Sequence, residues 1–470
     1  MSVGSLSVLR ARTADTTRRY QLVAVARISH AHAGSPSKSN RPNLDRKWTA
    51  PSRQGHEKSC NVRAPKIENG HEYQPDVRDG GKVKGPGERT QTCALLLAFS
   101  VGAVACLLGA GSPATPSAPA VPAMPITVAV PPSVSGRPAG SCATLLSGLA
   151  GRDQLAQLVM AGADPGRETS TTALVRDDHV GALFIGGTST RLLTGGRLTA
   201  IRAMASIPPL IAVDEEGGRV QRIDDLDGTT PSARALATTA TPDQARDLGH
   251  RRGRQLLSRG VTMDLAPVAD VSDAPANSVI GDRSFSAEPA VVTRYAGAFA
   301  AGLRTAGVIP VLKHFPGHGT ASGDSHRELP RTPPLAVLEN HDLEPYETLI
   351  PAGAPVVMLG HLDVPGLTGG SPASLSAEAY RLLRGKYRFD GVAMTDDLGA
   401  MRAITNRFGL PEAAKRAIAA GADLVLWSSP MPVAPVLDQL QHAVATGELA
   451  QTRVREAVTR VLHLKTGCAR

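Results

Sequence analysis

The chain predicts an α/β fold, a TIM-type (β/α)8 barrel forming a single catalytic domain, on three observations. Short apolar runs bounded by turn residues recur through its C-terminal part, stretches with helical spacing separate most of them, and chargeable residues follow the runs. Strand followed by helix, repeated, argues a parallel sheet. The runs are Val180–Ile185, Pro209–Val213, Val261–Leu265, Val308–Leu312, Val356–Leu359, Val392–Met394 and Leu424–Trp427. A barrel needs eight, so one strand is expected to be irregular or missing. Helical spacing marks Pro289–Thr305, Ala377–Arg384, Pro411–Ala420 and Val433–Thr446. A doubly wound open sheet is the alternative, but no GxGxxG turn opens a helix after the first run. With two tryptophans and 3% aromatic residues the core has to be aliphatic, as barrel interiors are.

The start of the chain is different in kind. Residues 1–90 hold 17 of the 51 Lys and Arg but only 8 of the 42 Asp and Glu, leaving the remainder balanced at 34 of each. The basic surplus is therefore a property of this leader, and the folded part gives no charge argument for binding nucleic acid. The leader lacks sustained periodicity, as a disordered or spurious segment does. Residues 91–108 have the order of an export signal: Lys82, Lys84 and Arg89 precede an apolar run, and small residues and proline follow. The run is shorter than the roughly 20 apolar residues of a comfortable span. Its end, Ala103-Val104-Ala105-Cys106, resembles a bacterial lipobox, with Ala103 where leucine is usual, so lipidation of Cys106 is expected. An export signal belongs at an N-terminus, which predicts translation starting near Val77 or Val83. The alternative is a signal anchor with a basic cytoplasmic tail. Residues 109–140 are a Pro/Ala/Ser spacer, and residues 141–470 the catalytic domain. The expected product is an exported, membrane-anchored monomer of the cell envelope. Cys142 and Cys468 bracket its folded region, and a closed barrel brings its two ends together, so a disulfide between them is predicted.

Polar residues then cluster at predicted strand ends. Asp214 opens DEEGGRVQR, with Arg219 and Arg222; Asp270 ends APVAD, before Gly281-Asp282-Arg283; Lys313 and His314 lead through KHFPGHG to Asp324 and His326; His361 and Asp396 close two further runs. Alone, Asp214 or Arg222 reads as a surface ion pair, and His361 as a core histidine. Glu215, Glu216 and Asp397 read as supporting groups. Their coincidence at one rim is what points to chemistry. His314, His318, Asp324 and His326 are types that zinc accepts, but Pro316-Gly317 prevents the first two histidines from sharing a helical face. No GxSxG elbow suggests a serine hydrolase. Glycoside hydrolysis needs a nucleophile or base and a proton donor. Asp396 suits the first role if Lys313 and arginines keep it ionised. His326, oriented by Asp324, suits the second.

DEEGGRVQR, KHFPGHG with DSH, and TDDLGAM together resemble glycoside hydrolase family 3, in its bacterial single-domain β-N-acetylglucosaminidase branch. The resemblance implies that Asp396 is the nucleophile and that His326 with Asp324 is the acid/base. It implies too that Asp214, Arg222, Arg283, Lys313 and His314 bind the nonreducing-end sugar. It further implies a retaining exo-enzyme that removes terminal N-acetylglucosamine from peptidoglycan fragments, with no cofactor or metal. A β-glucosidase, a phosphorylase of the same family, and a noncatalytic muropeptide-binding lipoprotein are the alternatives. Only 74 residues follow Asp396, too few for the second domain that carries the proton donor in many members. Two positions depart from the pattern. Glu215 replaces a common glutamine, which is expected to add charge beside the sugar, and Thr320-Ala321 replaces Asp-Thr after GHG.

Overall fold

The computed structural model describes residues 140–470. The leader, the signal segment, Cys106 and nearly all of the spacer lie outside the described residues. Eight parallel strands close into a barrel in chain order. They are β1 Val159–Ala163, β2 Ala182–Ile185, β3 Leu210–Val213, β4 Met263–Asp264, β5 Ile309–Phe315, β6 Val356–Leu359, β7 Val392–Asp397 and β8 Leu424–Trp427. The strand that the sequence pattern did not reveal is β1. Three of its five residues, VMAGA, are small, so it lacks the branched apolar signature of its neighbours. The reason is closure. β1 pairs with β8 through Val159–Val425, Met160–Leu426 and Ala161–Trp427, and a Cβ on Gly162 would fall on the Ser428 carbonyl.

The predicted run Val261–Leu265 narrows to the two residues of β4. Beyond it the chain leaves regular pairing, although Val268 still bridges Lys313 in parallel. The helix Pro289–Ala306 matches its predicted span, and it packs on Pro242–Ser258 with the backbones in close approach. Cβ atoms on Gly249 or Gly302 would strike the carbonyls of Phe299 and Arg246, respectively. The predicted helix Ala377–Arg384 breaks into an α-turn, Ala377–Arg381, followed by a π-turn, Leu382–Lys386.

The two barrel ends carry charge differently. At the N-terminal end of β8, buried Asp423 accepts hydrogen bonds from the Ala393 amide at 3.0 Å and the Arg384 guanidinium at 2.5 Å, and pairs with Arg453 and Arg460. Such a cluster at the bottom of a barrel serves stability. No helix of the described residues is long and apolar enough to cross a membrane.

Cys142 and Cys468 are disulfide-bonded, with Cα atoms 5.0 Å apart, and the Cys142 amide donates to the Ala469 carbonyl at 2.8 Å. The bond ties the first helix, Cys142–Ser147, to the residue just past the last, Gln451–Thr466. It spans 326 residues of sequence. Native disulfides stabilise by about 2–5 kcal/mol, more for long loops. Cys142→Ser is expected to lower unfolding stability by roughly that amount. Denaturant titration measures the loss, and a reductant should then leave the variant unchanged while lowering the wild type to match it.

Candidate active site

The C-terminal rim gathers a buried ionic network across β3, β4 and β5. Lys313 near the end of β5 reaches Asp214 Oδ1 at 2.7 Å and Glu216 Oε1 at 2.6 Å. Arg283 grips Glu216 with two bonds, Nε to Oε2 at 2.7 Å and Nη2 to Oε1 at 2.8 Å. Burial would raise the Glu216 carboxyl, but Arg283 and Lys313 outweigh it and hold the group far below the usual carboxylate range. Burial likewise pulls the Lys313 ammonium down, and Asp214 and Glu216 reverse this, so its pKa is raised. The structure brings Asp214, Lys313 and Arg283 together. Glu216 is the link between them.

His314 is steered by Asp270. Its Nδ1 lies 2.7 Å from Asp270 Oδ2, while Asp270 Oδ1 accepts the His314 and His318 amides at 3.2 and 2.7 Å. Burial would raise Asp270, but the charge and hydrogen bond of His314, with His318, leave its pKa lowered. An ionised acceptor there requires Nδ1 to carry the hydrogen, leaving Nε2 to meet a ligand. The histidine-bearing loop is anchored on its far side too. Thr320 donates to the buried Asp342 carboxylate at 2.9 Å, so the replaced residue after GHG has a partner of its own.

Asp396, on β7, is buried. Burial raises its carboxyl, but His314, the Asp397 amide at 2.8 Å and Lys313 outweigh it and lower its pKa below the usual value. Asp397 turns away, accepting the Gly399 and Ala400 amides at 2.7 and 3.1 Å and bonding to Ser428 Oγ. His361 Nε2 faces the Asp397 carbonyl at 2.9 Å, so that nitrogen bears the hydrogen, and Nδ1 accepts from Ser374 Oγ at 2.7 Å. Burial lowers the His361 pKa. A neutral ring thus pins the backbone one residue from Asp396. Sequence reading left His361 between core and rim, because tautomer and partner are tertiary facts.

Asp324 and His326 form a dyad: Oδ1 lies 2.9 Å from Nδ1 and also accepts the His326 amide at 2.9 Å. Burial would raise Asp324, but the His326 amide and ring and Arg327 leave its pKa lowered. His326 itself is 61% exposed. The loop is tied to the segment that follows the strand of Asp396, since the Ala403 amide donates to the Ser325 carbonyl at 3.1 Å. Arg222 donates to the Gln221 carbonyl at 2.9 Å, and its buried Nε has no partner. Arg219 instead fastens the loop after β4, donating to the Ser278 carbonyl at 2.6 Å and pairing with Asp282 at 3.0 Å. Among the described residues, no group of three or more His, Cys, Asp and Glu side chains is placed to hold a metal ion.

The expected charge of Glu215 beside the sugar is not found. Its side chain is buried in the opposite direction, with Oε2 accepting the Arg222 and Ile223 amides at 2.6 and 3.1 Å and Oε1 3.4 Å from Arg252 Nε. Just past β3, Asp214 turns to Lys313 while Glu215 turns to the Arg222 and Ile223 amides. Behind it Asp264 accepts the Glu215 amide at 3.0 Å.

The eight-stranded parallel barrel carries at its C-terminal rim a buried, ionised aspartate on β7 and, on the loop after β5, a carboxylate-steadied histidine, the two kinds of group that a glycoside hydrolase uses. Residues 151–464 match the glycosyl hydrolase family 3 N terminal domain. The chain belongs to that family. It is 48% identical over 391 residues to the β-hexosaminidase LpqI of Mycobacterium tuberculosis, covering 81% of this chain and 99% of that one. The solved structure of LpqI superposes with a TM-score of 0.68 at 49% identity, over 70% of this chain and 97% of that one. A glycosyl hydrolase of the GH3 family from Mycobacterium smegmatis gives 0.67 at 51% identity, over 68% and 98% of the two chains. A family 3 β-N-acetylglucosaminidase from Paenibacillus gives 0.64 at 33%, over 67% and 62%.

Burial, opposed by the Arg222 amide and Arg252, leaves the Glu215 pKa raised. A raised carboxyl contributes stability that is complete below its unfolded pKa and is lost as pH climbs through the folded one. Glu215→Gln has no such loss. Its stability relative to wild type should therefore improve as pH rises above the ordinary carboxylate range and level off once the buried Glu215 has ionised, which denaturant unfolding at several pH values will measure.

Proposed function

We propose that this chain is a β-hexosaminidase, and specifically a retaining exo-β-N-acetylglucosaminidase that removes terminal β-linked N-acetylglucosamine from peptidoglycan-derived muropeptides. The observation that carries the reading is Asp396. It is buried yet held ionised, beside the Lys313 network, and the segment after its strand hydrogen-bonds the loop that bears a carboxylate-steadied histidine. In this reading Asp396 attacks the anomeric carbon and His326 protonates the departing oxygen, giving a glycosyl-aspartate intermediate that water then releases. Asp324 holds the His326 ring and its tautomer. Asp214, Lys313 and His314, with Arg222 and Arg283, hold the sugar hydroxyls. Kinship with the LpqI β-hexosaminidase and the Paenibacillus β-N-acetylglucosaminidase supports the glycone chosen.

The protein acts, in the same proposal, outside the cytoplasm, anchored through lipid at Cys106. The Cys142–Cys468 disulfide supports an oxidising compartment.

The deciding experiment is release of 4-nitrophenol from its β-N-acetylglucosaminide, compared with the β-glucoside. The first is expected to turn over and the second to be poor; the reverse preference overturns the glycone assignment. Asp396→Ala should abolish turnover while ligand binding persists. His326→Ala should slow substrates with poor leaving groups about 100-fold or more while sparing activated aryl glycosides. Equal losses on both would remove the acid role. Product analysis with and without phosphate separates hydrolysis from phosphorolysis, and the free sugar is expected in both.

A further inference from the structure

We propose that Asp342, in the turn between the two helices that follow β5, is a positioning residue for the proton donor: through Thr320 it fixes the base of the loop that carries His326. This rests on the acid role given to His326 above. A donor carried on a loop delivers its proton only where the base of that loop sets the direction of its tip.

After Phe315 the chain runs Pro316-Gly317-His318-Gly319-Thr320 before it turns outward, and this stretch is clamped from two sides. Toward the loop after β4, the Ser272 hydroxyl donates to the Gly319 carbonyl at 3.0 Å, and a Cβ on Gly319 would strike the Val271 carbonyl. The other clamp is Asp342, between the helices Leu335–Leu338 and Glu344–Leu349. Its Cβ fills the space that a side chain on Gly317 would need, since a Cβ there would lie 2.5 Å from it. Its two carboxylate oxygens lie 2.9 and 3.0 Å from the Thr320 hydroxyl, and Oδ2 lies 3.1 Å from Nδ1 of the partly exposed His341. Asp342 is fully buried, and its segment is fixed in turn: Tyr346 packs edge to face on Phe315, with ring centres 5.2 Å apart. The clamp bears on His326 through the chain. Just beyond Thr320, Ser322 and Arg331 exchange backbone hydrogen bonds at 2.8 and 3.0 Å, closing a stem whose tip carries Asp324 and His326. The returning half of that stem is bound to the loop after β6, where the Asp363 amide donates to the Pro330 carbonyl at 2.8 Å. The outgoing half has Thr320 and Asp342. Asp324 occupies Nδ1 of His326, so Nε2 must reach the glycosidic oxygen, and a tilt of the stem carries it away.

The test compares kcat/KM on chitobiose, whose leaving sugar needs a proton, with kcat/KM on the 4-nitrophenyl glycoside, whose leaving group does not. Thr320→Val and Asp342→Ala are each expected to lower the first about tenfold and to spare the second. The double variant should lose no more than either single one, because both remove the same hydrogen bond. Thr320→Ser keeps the hydroxyl and should behave as wild type. A general loosening of the fold would lower both substrates together. Unchanged chitobiose turnover in Thr320→Val, equal losses on both substrates, or losses that add in the double variant overturn the positioning role. Thr320 is exposed, so its variants carry the test even where Asp342→Ala fails to fold. His326→Ala is assayed alongside: if it loses both substrates alike, the acid assignment beneath the proposal falls, whatever the Thr320 variants show.

Discussion

One buried ammonium organises the C-terminal rim. Lys313 is shared by Asp214 and Glu216 at 2.7 and 2.6 Å, and Glu216 passes the contact to Arg283. Removing one partner from a buried pair leaves an uncompensated charge, at a cost of about 3–5 kcal/mol. The network therefore acts as one unit that joins β3, the loop after β4, and β5. Its Lys313 also adds, after His314 and the Asp397 amide, to the groups that hold Asp396 ionised against its burial. Lys313 thus takes part both in the network that joins the rim segments and in the electrostatics of Asp396.

The proposed chemistry divides between rigid and adaptable parts of the fold. Asp396 sits at the end of a strand, its backbone pinned through Asp397 by a neutral His361. His326 rides an exposed loop instead. A loop that carries the proton donor can admit a substrate and then meet it, whereas a nucleophile must already be aligned with the anomeric carbon. The Ala403–Ser325 hydrogen bond ties the two parts, since it fastens the histidine loop to the segment leaving β7.

Departures from the family pattern show how local chemistry is absorbed. Thr320 meets Asp342, so that loop keeps a side-chain anchor. Glu215 turns inward to two backbone amides and Arg252, and the added carboxyl falls on stability more than on substrate. A residue number in a motif does not state which side of a strand its side chain takes.

The sequence by itself determined the class of fold, the rim on which polar residues collect, and the motif residues Asp396, His326, Asp324, Lys313 and Asp214, because periodicity and residue chemistry are local properties. It also implied the Cys142–Cys468 bridge, since a barrel must bring its ends together. Only the tertiary structure decided the rest. β1 is legible only against β8, where backbone crowding at Gly162 explains its small residues. Glu216 as the bridge between two cations, Asp270 as the orienter of His314, and His361 as a neutral pin depend on partners 67, 44 and 36 residues away. Hydrogen bonds and charges act through space, and a linear pattern records which groups exist but not which of them meet.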